Sequence, residues 1–70
     1  MAARLSNPVL FYGDRMAAVD NEGSILALAV REPHQWTVYT WSEAHGWLPN
    51  VGCRLKREAE RWLRRFDPNA

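Results

Sequence analysis

The stretch SILALAVREPHQWTVYTW, residues 24 to 41, decides the fold. Its first part, Ser24 to Val30, is apolar at nearly every position, and six to seven such residues bounded by a turn and a proline suit a strand covered on both faces. Its last part, Trp36 to Trp41, alternates β-branched and aromatic residues, the side chains that fit a pleated, half-buried surface. Between them Arg31-Glu32-Pro33-His34-Gln35 carries the proline of a tight reversal. Two antiparallel strands joined by a short turn follow.

Upstream, Asp20-Asn21-Glu22-Gly23 is another turn signal, with glycine where a left-handed conformation is needed, and Arg15 to Val19 before it is extended in character. Residues 9 to 12, VLFY, closed by Gly13-Asp14, read as a brief edge strand. Residues 1 to 8 read as a loose lead-in, since Asn7 precedes Pro8 and is pushed away from helix. Downstream, Ser42 to Gly46 forms a loop that reverses at Gly46, and Trp47-Leu48 either returns as a fourth short strand or packs as a lid. Pro49-Asn50 marks a break.

At 100° per residue from Val51, the side chains of Val51, Leu55, Ala59, Trp62, Leu63 and Phe66 fall within an arc of about 120°, one coherent buried face. Asn50 is a suitable N-cap, and Asp67-Pro68 ends the helix because proline cannot continue it. The expected fold is α+β: a three- or four-stranded antiparallel meander over residues 9 to 48, then one C-terminal amphipathic helix over 51 to 66 packed on one sheet face. Residues 67 to 70 are a tail. With 70 residues the chain has room for one core and a single domain.

A lone cysteine, Cys53, makes no internal disulfide, so a reducing compartment is expected and the cytoplasm is the default. No basic start followed by an apolar run marks an export signal, and Ile25 to Val30 is far too short to span a bilayer, so neither export nor a membrane partner is expected. His34, His45 and Cys53 stand at no metal-binding spacing. Arginines near Cys53 would lower its pKa, but no catalytic partner is evident and a buried, inert thiol fits better. The glycines are isolated turn residues and form no phosphate loop. No metal, cofactor or enzymatic activity is expected.

The net charge of +1 hides an asymmetry. Residues 1 to 53 hold three arginines against five acids, whereas residues 54 to 70 hold six Arg and Lys against three acids. On the helical wheel Arg54, Arg57, Arg61, Arg64 and Arg65 share an arc of about 100° on the side away from the core. Three readings fit that stripe: the solvated face of the only helix, a nucleic-acid footprint, or a dock for an acidic protein.

One helix cannot cover both faces of a sheet. The faces of residues 36 to 41 are Trp36, Val38, Thr40 and Thr37, Tyr39, Trp41, so the uncovered one still presents a tryptophan. The preceding strand divides into a large set (Leu26, Leu28, Val30) and a small set (Ile25, Ala27, Ala29), and side-chain volume assigns the large set to the core. That leaves a shallow apolar outer face floored by Ala27 and Ala29, with Trp36, Tyr39 and Trp41 as candidate interface aromatics. Either Trp47-Leu48 and VLFY fold over and close this face, or a second copy or a foreign protein covers it.

Trp36 and Val38, with Lys56, Glu58, Ala59, Glu60, Trp62 and Leu63, resemble the W-x-V strand and the K-x-E-A-E-x-W-L helix of the AP2-like N-terminal DNA-binding domain of phage-type tyrosine recombinases. The resemblance spans the C-terminal half and implies a small sheet with a helix across it. That family binds DNA through a basic sheet face and caps its helix with Thr or Ser; here the sheet carries only Arg15 and Arg31 near strand ends, and Leu55 holds the cap position. The expected function is a small non-catalytic binding module, a protein-interaction or inhibitor-type protein of a kind frequent in phages and mobile elements. Nucleic-acid binding by the Arg-rich helix face is the alternative.

Overall fold

The computed structural model describes residues 6–68. Five strands, β1 (Val9–Tyr12), β2 (Arg15–Val19), β3 (Ile25–Glu32), β4 (Gln35–Ser42) and β5 (Gly46–Cys53), are followed by one helix, α1 (Lys56–Arg65). They form a single antiparallel sheet in the order β1-β2-β3-β4-β5. The turns follow their sequence. Gly13 takes a φ of 58° at the first position of a two-residue hairpin, and Gly46 takes 77° where a three-residue loop re-enters the sheet. The Asp20 carboxylate accepts the backbone N–H groups of Glu22 and Ser24, each at 2.9 Å, and so braces the β2–β3 turn.

The sheet is larger than the expected three or four strands. VLFY pairs with β2 along its whole length, and Gly46 to Cys53 pairs with β4 as an eight-residue strand. Pro49 does not break that strand, because β5 lies at the sheet edge, where a missing N–H is tolerated, and the register shifts beside it between Val38 and Tyr39. The helix accordingly begins at Lys56, not Val51. Val51 and Cys53 lie opposite Val38 and Trp36 on the helix side of the sheet, so they satisfy the apolar arc as strand residues beneath α1. Asn50 is therefore no N-cap. Leu55 occupies that place without a side-chain acceptor, and the Glu58 carboxylate reaches back to accept the N–H groups of Arg54 and Leu55, both at 3.1 Å.

The face assignment of β3 is the reverse of the one that volume suggests. Ala18, Ala27 and Ala29 have no exposed surface and, with Met16 and Val38, form the floor on which Ala59 and Leu63 of α1 rest. Small side chains bring the helix close to the backbone of the central strands, and Met16 and Leu63 fill what remains. Leu28 and Val30 point the other way and stay half-exposed. Of the large set only Leu26, left unpaired by a bulge opposite Ala18 and Val19, packs toward the core.

The segment before β1 is not a loose lead-in at its end. Asn7 is buried, and its side-chain amide donates to the carbonyls of Leu63 at 2.9 Å and Phe66 at 2.8 Å. Its backbone N–H donates to the Arg64 carbonyl at 2.9 Å. These are among the carbonyls that the end of a helix leaves without partners, so Asn7 caps α1 from across the chain. Pro8 adds a carbonyl that accepts the Val19 N–H at 3.1 Å.

Two outcomes test this account. Replacing Asn7 by Ala removes two side-chain hydrogen bonds from the helix end, leaving the Leu63 carbonyl with the longer bond from the Phe66 N–H at 3.3 Å, and should cost about 1–2 kcal/mol in urea unfolding; a loss below about 0.5 kcal/mol would show that the side-chain cap is dispensable. Ala29→Leu should lift α1 from the sheet and destabilise by about 1–3 kcal/mol, with the same substitution at Ala17, buried only by its outer-face neighbours and under no helix, costing less.

Candidate interaction surfaces

Among the described residues no element covers the outer face of the sheet. Cross-strand register aligns Leu10, Ala17, Leu28, Tyr39 and Pro49 in one row and Tyr12, Arg15, Val30, Thr37 and Gly52 in the next. Beyond them Trp41 and Trp47 face each other across β4 and β5 with ring centroids 5.5 Å apart, edge to face. Leu10, Tyr12, Trp41 and Trp47 are exposed, Trp41 at 58%. The face floored by Ala27 and Ala29 is the one that α1 covers, and the alternative in which VLFY and Trp47-Leu48 fold over the uncovered face does not occur: VLFY is β1 and Trp47-Leu48 lies within β5, and both widen the sheet instead. The three candidate aromatics are divided. Tyr39 and Trp41 lie on the outer face, whereas Trp36, opposite Cys53, belongs to the core beneath α1 and is 8% exposed.

A polar network crosses the outer face at one end. Glu32 accepts hydrogen bonds from the Thr37 hydroxyl and, at 2.8 Å, from the Tyr39 phenol, and Gln35 donates to Thr37 at 2.9 Å. Gln35 lies directly over Gly52, where an added methyl group would collide with its amide. The bonds from Thr37 and then Tyr39 hold the Glu32 carboxyl below its ordinary range. The bond to Glu32, followed by burial and the carboxylate's charge, pushes the Tyr39 phenol up. Sequence reading missed this network; its one signal is that Glu32, Thr37 and Tyr39 share a sheet face across a two-residue turn.

The helix side is basic. Arg57, Arg61 and Arg65 recur every four residues on α1 and are exposed, with no ion pair among the described residues. Arg54 is also exposed but lies before the helix, in the β5–α1 connection. Arg64 is committed elsewhere: its guanidinium grips Glu60 at 2.8 Å and 2.9 Å and reaches the Asn7 carbonyl at 3.5 Å. The stripe of five is thus three helical arginines, one flanking arginine and one structural arginine. Lys56 lies over the Phe11 ring at 5.3 Å.

Cys53 is buried, and burial, then the Glu58 charge, pushes its thiol up, so nearby arginines do not activate it. His34 and His45 are exposed in separate turns. Among the described residues no three His, Cys, Asp or Glu side chains are grouped to hold a metal ion. Nor, among the described residues, is any helix long and apolar enough to cross a membrane.

The Tyr39–Glu32 bond needs a neutral phenol and an ionised carboxylate. A lowered carboxyl pKa stabilises the fold above the ordinary carboxyl range of about 4, and that contribution is lost as pH falls through the folded value; a raised phenol pKa stabilises below about 10 and is lost as pH rises through its folded value. In an NMR titration, Glu32→Gln should therefore lower the Tyr39 midpoint. An unchanged midpoint would show that the carboxylate does not act on the phenol.

Comparison with protein-family models, with curated proteins and with solved structures finds no match to this chain.

Proposed function

We propose that this chain is a non-catalytic binding module that works through protein–protein contact at its outer sheet face, and that a second copy of the chain is the first occupant. The observation that carries this is the continuous apolar row from Leu10 to Pro49, flanked by exposed Tyr12, Trp41 and Trp47, over which none of the described residues forms a layer. Five strands at about 4.8 Å spacing and seven residues at about 3.3 Å make a footprint on the order of 500 Å² per copy, about 1,000 Å² for a pair, which reaches the lower bound of a specific interface. Charge permits the pairing. The face carries one cation, Arg15, and one anion, Glu32, so two copies related by a two-fold axis do not repel.

The sheet edges are poorer candidates than the face. β1 has four residues, and β5 carries Pro49 beside a register shift, both of which discourage strand addition. A second reading, nucleic-acid binding by Arg54, Arg57, Arg61, Arg64 and Arg65, is favoured by the lack of ion-pair partners for four of those five among the described residues. It uses the opposite side of the molecule, so the two readings do not compete for surface.

Sedimentation equilibrium tests the first reading. The chain should be dimeric at micromolar concentration, and Leu28→Lys, which places like charges together at the centre of the pair, should yield a folded monomer by circular dichroism. A wild-type chain that stays monomeric at millimolar concentration, or a Leu28→Lys variant that still dimerises, would overturn the proposal.

A further inference from the structure

Between the β3–β4 turn and the N-terminal end of α1 lies a shallow cleft of about 580 Å³. Three separate elements line it with cations: Arg31 from β3, Arg54 from the β5–α1 connection, and Lys56 from the first position of the helix, with His34 of the turn beside them. They are neutralised only in part. Arg31 stands 4.0 Å from Asp14, with both side chains mostly exposed, a pairing worth little in solvent. Glu32 also borders the cleft and keeps its negative charge, bonded to Thr37 and Tyr39, so it offsets one of the three cations and leaves the lining net positive. The positive end of the helix dipole lies on the same side, offset by the Glu58 carboxylate that caps it.

The charge does not stop at the cleft. Arg57, Arg61 and Arg65 continue it along α1 at i,i+4 intervals, about 6 Å per step, comparable to the interval between phosphates of an extended strand. A second depression of about 360 Å³ lies along that line, bordered by Ser6, Arg57, Arg61 and Arg65 and by the Glu60–Arg64 ion pair, whose charges offset each other.

We propose that the cleft holds a backbone phosphate of a nucleic-acid strand whose neighbouring phosphates run along Arg57, Arg61 and Arg65. This rests on the nucleic-acid reading above and moves its anchor off the helix face, adding Arg31 and Lys56 to the contacts. Shape separates a strand from a free phosphate or nucleotide. A small anion is retained by cations converging inside an enclosed pocket, whereas here they are spread over two open depressions in a line. The forked guanidinium groups suit phosphate oxygens, and their exposure makes the binding electrostatic and dependent on salt.

The test is fluorescence anisotropy with labelled single-stranded and duplex oligonucleotides at two salt concentrations, on the full chain and two double variants with circular dichroism as fold control. Arg31→Ala/Lys56→Ala alters the cleft, and Arg61→Ala/Arg65→Ala alters the track. Each should weaken binding about tenfold or more and lower the salt slope by between about one and two. Binding lost in the track variant but unchanged in the cleft variant would overturn the cleft while leaving the helix-face reading standing. No oligonucleotide binding at low salt would overturn both. Calorimetry with inorganic phosphate and adenosine monophosphate separates the sources: either one bound as tightly as the oligonucleotide would overturn the backbone assignment.

Discussion

The close approach of α1 to the sheet rests on four alanines, Ala18, Ala27 and Ala29 below and Ala59 above, none with exposed surface. A helix on a floor of Leu and Ile would stand off by the length of those side chains and leave gaps that one helix of ten residues could not fill. The alanine floor avoids that, but at β3 it turns Leu28 and Val30 to the face that has no helix. The open apolar sheet is thus a consequence of how the core is packed.

The two sides of the molecule also differ in charge. Of the described cations, only Arg15 lies on the outer face, and the others belong to the helix side or to the turn end beside it. The acids nearest that basic layer are largely committed: Glu58 to backbone groups ahead of the helix and Glu60 to Arg64. A neutral apolar face backed by a basic layer suits two kinds of contact at once, because packing two copies face to face would leave both basic layers pointing outward.

Much of the fold is legible locally. The hairpin from Ser24 to Trp41, the turns at Asp20 to Gly23 and at Gly46, and the second half of the helix each follow from patterns a few residues long. The β5–α1 junction is not, since Val51, Leu55 and Ala59 fit a helical period while Val51 and Cys53 fit a strand period, and pairing with β4 decides between them. The faces of β3 were misread because side-chain volume is a guide to burial only when the opposing element can stand off to receive it. Of the candidate site, the Arg face was readable as a stripe, but not that Arg64 is held by Glu60 and Asn7. Arg31 and Lys56 were invisible as neighbours of Arg54 because strand, turn and helix meet there only in the folded chain.

Asn7 and the helix end that it caps are 56 and 59 residues apart at Leu63 and Phe66. During synthesis the meander emerges in order, each strand able to pair with the one before it, while Asn7 waits for a partner made 56 residues after it. Until α1 leaves the ribosome the alanine floor is bare and both sheet faces are open to water and to other chains. The newborn sheet therefore depends on how quickly the last turns of helix follow it out, because the bonds of Asn7 to Leu63, Arg64 and Phe66 cannot form before those residues exist.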